Sequence, residues 1–220
     1  MKNLKKASFI LTILSFLTLF TSANAEIKVV TSIKPIHSLA SYLMDGVSKP
    51  DLIVDGYSSP HGFALKPSHA KMLQEADLIF WVGEDLENFL IKPLNSIAKK
   101  AEKIELLEVK GLVKLKFRER NIFDDHDDHD DHGHKKKDDH DGHEGHHHGE
   151  FDPHIWLDPI NAKVILFEMS KHLIENDPSN ETAYRANLSK AYKEIDKLTK
   201  DVTAELNEST ASIVSLSISL

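Results

Sequence analysis

The chain has 220 residues, 40% of them hydrophobic, with a net charge of −8 and no cysteine. That length and apolar content support a sizeable core, and the missing cysteines exclude both a disulfide framework and a lipid-modified cysteine. Acidity is local, since Asp124–Glu150 holds eleven of the 35 acids against three of the 27 Lys and Arg, and nothing forms the basic face that a nucleic-acid binder needs.

Lys2, Lys5 and Lys6 precede an apolar run from Phe9 to Phe20 and a small-x-small site at Ala23-Asn24-Ala25. This is the pattern of a secretory signal peptide over residues 1–25, so the mature chain starts near Glu26 as an exported protein. A membrane anchor is the competing reading, and the apolar run is short for a bilayer span. The β-branched run Ile27–Ile33 predicts a first strand. Pro35 opens a helix with Ile36, Leu39, Ala40 and Leu43 on one face, ended by Gly46. Asp51–Val54 reads as a second strand, residues 56–62 as a loop carrying His61, and Ser68 as the cap of a second helix. Leu78–Val82 predicts a third strand, Leu86–Ile97 a helix, and Ile104–Leu107 a fourth strand. Strand and helix alternate throughout, which predicts an α/β fold with a parallel four-stranded sheet and helices on both faces.

The segment 117–150 breaks this alternation. Nine of the fourteen histidines lie in it, at His126, His129, His132, His134, His140, His143, His146, His147 and His148, interleaved with Asp and Glu. Neutral imidazole is a good ligand for Zn²⁺, and carboxylates raise the local cation concentration. Too few apolar residues are present to offset the entropy of ordering, so the segment is expected to be a disordered loop holding weak, redundant metal sites. The alternative is a solvated acidic linker with incidental histidines. Beyond it, Asp158-Pro159 reads as an N-cap and first helical residue of a helix to about Ile174. A further helix follows, with Tyr184, Leu188, Ala191, Tyr192, Ile195, Leu198 and Val202 at three- and four-residue spacing. The Ser/Ile/Leu run from Ala211 to Leu220 shows no helical period and reads as a stray strand.

Two histidines stand in proline-restricted loops, His61 in SSPHGFALKPS and His154 in FDPHIWLDP. In open α/β sheets ligands sit beyond the carboxyl ends of strands, and His61 follows the second strand closely. Each histidine is a candidate metal ligand, and a satisfied structural imidazole is the competing reading. Trp81 reads as core, while Trp156 is placed beneath His154. His37, His69 and His172 lie near helix ends, where a surface imidazole needs no special role.

The pairing of P-H-x5-P-S at Pro60–Ser68 with D-P-H-x-W-L-D-P at Asp152–Pro159, split by a His/Asp-rich insertion, resembles the zinc-uptake branch of a known family. That family comprises the periplasmic zinc- and manganese-binding solute-binding proteins of metal ABC transporters. The run LIFWVGEDLENFL also resembles the family's first-lobe strand and helix. The resemblance implies two α/β lobes joined by one long helix, with the metal held between them and delivered to a membrane permease. It makes His61 and His154 the first lobe's histidine ligands. Zinc-type members can carry a glutamate before the first of these, and here that position is Pro60. On this reading residues 26–116 and 151–176 form the first, metal-binding lobe, 177–208 the connecting helix and 209–220 an unpatterned tail. Against the two lobes that the resemblance implies, a second lobe is expected to be missing, as in a frameshifted or prematurely ended reading frame.

The implied function is extracytoplasmic capture of Zn²⁺ for ABC-type uptake, with Mn²⁺ the second choice of metal. Zinc ion and the permease are the partners, and nucleic acid and disulfide partners are not expected. A zinc buffer or inactive remnant is the alternative. A metallohydrolase is a third reading, which lacks an H-E-x-x-H helix or an identifiable general base.

Overall fold

A computed structural model describes residues 26–60, 62–116 and 150–218, with side chains placed as far as Glu208. The expected signal peptide, His61, and the His-rich segment from 117 to 149 lie outside the described residues.

Four strands, β1 (Val29–Ile33), β2 (Asp51–Val54), β3 (Leu78–Trp81) and β4 (Glu102–Glu105), form one sheet in the order β2-β1-β3-β4. Every pairing is parallel, with Val30 opposite Asp51 and Ile79, and Phe80 opposite Ile104. The central strands are buried along their whole length, Thr31 and Ser32 included, as in a parallel sheet covered on both faces. The chain adds β2 on one side of β1 and then returns to add β3 on the other. This reversal opens a crevice at the carboxyl ends of the strands.

Five helices follow from the apolar periodicity: α1 (Lys34–Leu43), α2 (Pro67–Glu75), α3 (Asn88–Ser96), α4 (Pro159–Asn176) and α5 (Glu181–Ile218). Ile36, Ala40 and Leu43 of α1 are completely buried, at the spacing that a helix needs to present one face. α1 packs on β1 and α4 on β3, and α1, α4 and α5 pack on one another, while α2 meets α3. All of these contribute to one hydrophobic core that includes Phe80, Leu90, Leu106, Ile165 and Leu173. Trp81 belongs to it, as the sequence predicts.

Several expectations are corrected. Ser68 does not cap α2; Lys66 is the N-cap residue, and its amide donates to Nδ1 of His69 at 3.2 Å. Fixed φ at Pro67 moves the helix start two residues earlier. The fourth strand runs over Glu102–Glu105 instead of Ile104–Leu107, because the last residues tighten into a 3-10 turn, Leu106–Glu108. The run read as a stray strand is helical, since α5 continues through it to Ile218. A growing helix adds one hydrogen bond per residue fixed, and this outweighs the modest β preference of the Ser/Ile sequence.

The apolar stripe of α5 is used in two ways. Tyr184 and Ala191 are buried and Leu188, Tyr192 and Ile195 pack on the core, whereas Leu198, Val202 and Leu206 are exposed. α5 is tied to the sheet domain by Asn187, whose Nδ2 donates to the carbonyls of Leu43 and Asp45 at 2.8 and 2.9 Å. Tyr192 Oη donates to the Lys163 carbonyl at 3.0 Å, and Lys163 pairs with Asp196.

Candidate metal centre

The motif FDPHIWLDP folds into a compact connection between the His-rich segment and α4. Lys116 and Phe151 form an antiparallel bridge, and the Asp152 amide donates to the Leu115 carbonyl at 2.8 Å. Buried Asn161 fastens the incoming segment, accepting from the Val113 amide at 2.8 Å and donating to its carbonyl at 2.9 Å. Pro153 and His154 then lead into a 3-10 turn, Ile155–Leu157, and α4 begins at Pro159. Asp158 is its cap, with Oδ1 accepting from the Ile160 amide at 2.7 Å, and is thereby occupied as a structural group. Asp158→Ala is expected to destabilise the protein by about 1 kcal/mol, measured by urea denaturation.

His154 is held by the carboxylate two residues before it. Asp152 Oδ1 accepts from the His154 amide at 2.9 Å and lies 2.6 Å from its Nδ1. The His154 amide, together with its imidazole, holds the Asp152 carboxyl below the usual carboxylate range. A carboxylate bonded to Nδ1–H fixes the tautomer of a neutral imidazole and orients its ring. Trp156 lies against the ring, with centroids 5.2 Å apart and planes tilted by 58°.

A cleft of about 290 Å³ opens beside His154 at the carboxyl ends of β1 and β2. It is lined by Ile33, Lys34 and Pro35, by Val54, Gly56, Ser58 and Pro60, and by His154 and Trp156. Pro60 immediately precedes His61 in the chain. The side chain of Lys34 is drawn aside, donating to the Gly56 carbonyl and lying over the Tyr57 ring at 5.8 Å. A larger cleft of about 410 Å³, near Glu26, Lys49 and Glu75, lies at the opposite, amino-terminal ends of β1 and β2 and contains no histidine.

The remaining described histidines are held elsewhere. Nε2 of His37 lies 3.1 Å from the Pro50 carbonyl. His69 is buried beneath Phe63, and burial pushes its imidazole down from the ordinary value. His172, expected at the surface, is instead only 12% exposed in its side chain and is surrounded by carboxylates of Glu102, Glu168 and Glu175. Glu168 and Glu175 lie four residues before and three after it, a spacing visible in the sequence. Glu102 comes from a distant strand and leaves no such signal.

The described helices include none long and apolar enough to cross a membrane. Among curated relatives, the chain is similar to the high-affinity zinc uptake system protein ZnuA of Brucella abortus, with 44% identity over 193 residues, covering 81% of this chain and 58% of the relative. The protein of the same description from Yersinia pestis is 32% identical over 182 residues, covering 83% of this chain and 57% of the relative. The chain thus spans a little under three fifths of the length of these relatives. Among solved structures, it resembles the Mn-bound periplasmic metal binding protein of Candidatus Liberibacter asiaticus, with TM-score 0.62, 21% identity, and coverage of 82% of this chain and 57% of that one. The Zn(II)-bound ZnuA-like domain of Streptococcus pneumoniae AdcA aligns with TM-score 0.58 and 19% identity over 80% of this chain and 54% of that one. At such identities these two establish the shared fold. The model of the family described as zinc-uptake complex component A, periplasmic (ZnuA), matches residues 29–216, and the chain belongs to that family.

Proposed function

We propose that this protein captures Zn²⁺ outside the cytoplasmic membrane and hands it to the permease of an ATP-driven transporter. His154 and His61 supply the imidazole ligands. One observation carries the reading: His154, oriented by Asp152, faces the same cleft as Pro60, the residue before His61. The names of the relatives point the same way, since each is a high-affinity zinc uptake protein. A neutral imidazole with its second nitrogen bound to a carboxylate is a common zinc ligand, and two imidazoles leave two tetrahedral positions for water or further donors. The protein acts as a carrier of its ion and not as an enzyme. The nine histidines between His126 and His148 serve as a weak collector feeding the structured site.

A deletion separates the two classes of site. Lys116 and Phe151 are bridged, so the ends of the His-rich segment lie side by side and removing Asp124–Glu150 leaves a connection long enough to close. The shortened chain is expected to keep one tight zinc site and to lose only weaker, superstoichiometric binding in calorimetry. Loss of the tight site on deletion would refute the assignment to His61 and His154.

A further inference from the structure

A second group of ligating side chains sits at the other end of α4, away from the cleft. The helix rise of about 1.5 Å per residue puts His172 about 20 Å along the helix from Pro159. Glu102, the first residue of edge strand β4, reaches it from across the sheet edge. One oxygen of Glu102 is already committed, because Oε2 accepts from Asn176 Nδ2 at 2.7 Å. Its other oxygen, Oε1, lies 2.9 Å from His172 Nδ1, and Glu175 Oε2 lies 3.5 Å from the same nitrogen.

The protonation pattern of the ring gives this cluster its meaning. His172 Nε2 is 3.1 Å from Glu168 Oε1, a carboxylate that is also paired with Lys171 at 2.9 Å. That contact accounts for a proton on Nε2, which makes Nδ1 the acceptor nitrogen, beside two carboxylates. Nδ1 is sealed from solvent, and no acceptor meets it along a hydrogen-bond direction. One imidazole nitrogen and two carboxylate oxygens are therefore gathered in one place. The ligand atoms of Glu102, His172 and Glu175 all lie within 4.8 Å of one another. Zinc bonds of about 2.0–2.2 Å in tetrahedral geometry hold neighbouring ligand atoms about 3.4 Å apart. The two observed separations from Nδ1 bracket that value.

We infer that His172 Nδ1, Glu102 and Glu175 form a second site for a divalent cation of the Zn²⁺ type, with Glu168 orienting the imidazole. The carboxylate of Glu175 is half-exposed, which gives the ion an entry path and room for a water ligand. Bound there, the ion clips the edge strand β4 to α4. The site is independent of the cleft at His154.

Titrating the intact chain with Zn²⁺ while following histidine side-chain signals by NMR tests the assignment, the His172 signal being identified by its loss in His172→Gln. The His172 ring signals are expected to respond saturably to Zn²⁺. In Glu175→Gln, a change at a half-exposed position that leaves the core untouched, that response is expected to need at least tenfold more zinc while the His154 signals respond as before. A His172 signal that ignores Zn²⁺ at concentrations saturating the other histidines would overturn the inference, as would an unchanged response in Glu175→Gln. Neither result bears on the cleft site, which is read from His154 in the same spectra.

Discussion

Replacing His154 by alanine is expected to weaken the tight zinc site about a hundredfold, equivalent to about 2.7 kcal/mol. The substitution removes one of the two proposed imidazole donors and leaves Asp152 without the ring that it holds at 2.6 Å. Asp152→Asn keeps the ligand but exchanges a charged acceptor for a neutral one, and should cost about tenfold through loss of ring orientation and ligand basicity. Calorimetry against a competing chelator measures both. The ordering matters as much as the size, since His126→Ala in the redundant segment should leave the tight site unmoved. If His154→Ala and His126→Ala behaved alike, the zinc site would have to lie away from the cleft.

Raising the pH through neutrality is expected to destabilise the protein by an amount traceable to one carboxyl group. Glu87 is completely buried, with Oε2 accepting from the amides of Val82 and Gly83 at 2.9 Å each and Oε1 without a hydrogen-bond partner. Burial pushes its carboxyl up to about 7, against the opposing pull of Ser32 and the two amides, and the nearby charge of Glu105 adds to the rise. The folded protein therefore keeps a proton that the unfolded chain releases near 4.5. This contribution to stability is present in full below the lower value and is lost as pH rises through about 7. Glu87→Gln preserves the acceptor for the two amides and cannot ionise. It should be more stable than the parent by about 3 kcal/mol at pH 8 and nearly equal to it at pH 4.5. Urea denaturation of both proteins at the two pH values reads the difference, and a pH-independent gap would reject this account.

The features most legible in the sequence were those set by neighbouring residues. Fixed backbone angles and an adjacent side-chain acceptor identify Asp158-Pro159 as a helix start without knowledge of the fold, and short runs rich in β-branched residues identify the strands. His154 could be singled out because proline and two aspartates surround it within five residues. Features made by distant partners were not legible. The burial of Glu87 depends on where β1 and β3 end, so in LENFL it reads as an ordinary surface position. His172 looked like a polar residue near a helix end because Glu102, seventy residues earlier, is brought to it only by the parallel pairing of β4 with β3. The continuation of α5 was missed for a different reason: propensity over ten residues carries less weight than the helix already formed before them.

The turn between α4 and α5 has a mechanical consequence. Asp177 there accepts from Ser179 Oγ, Asn180 Nδ2 and buried Tyr184 Oη, at 2.7, 2.7 and 2.8 Å. The helix that follows has 38 residues and is about 57 Å long, so a rotation of about 5° at this pivot would sweep its far end through about 5 Å. These three hydrogen bonds act together with the core packing of Tyr184 and Ala191 and the Asn187 and Tyr192 hydrogen bonds to set the aim of a lever, and whatever rides on its distal half inherits its position from them.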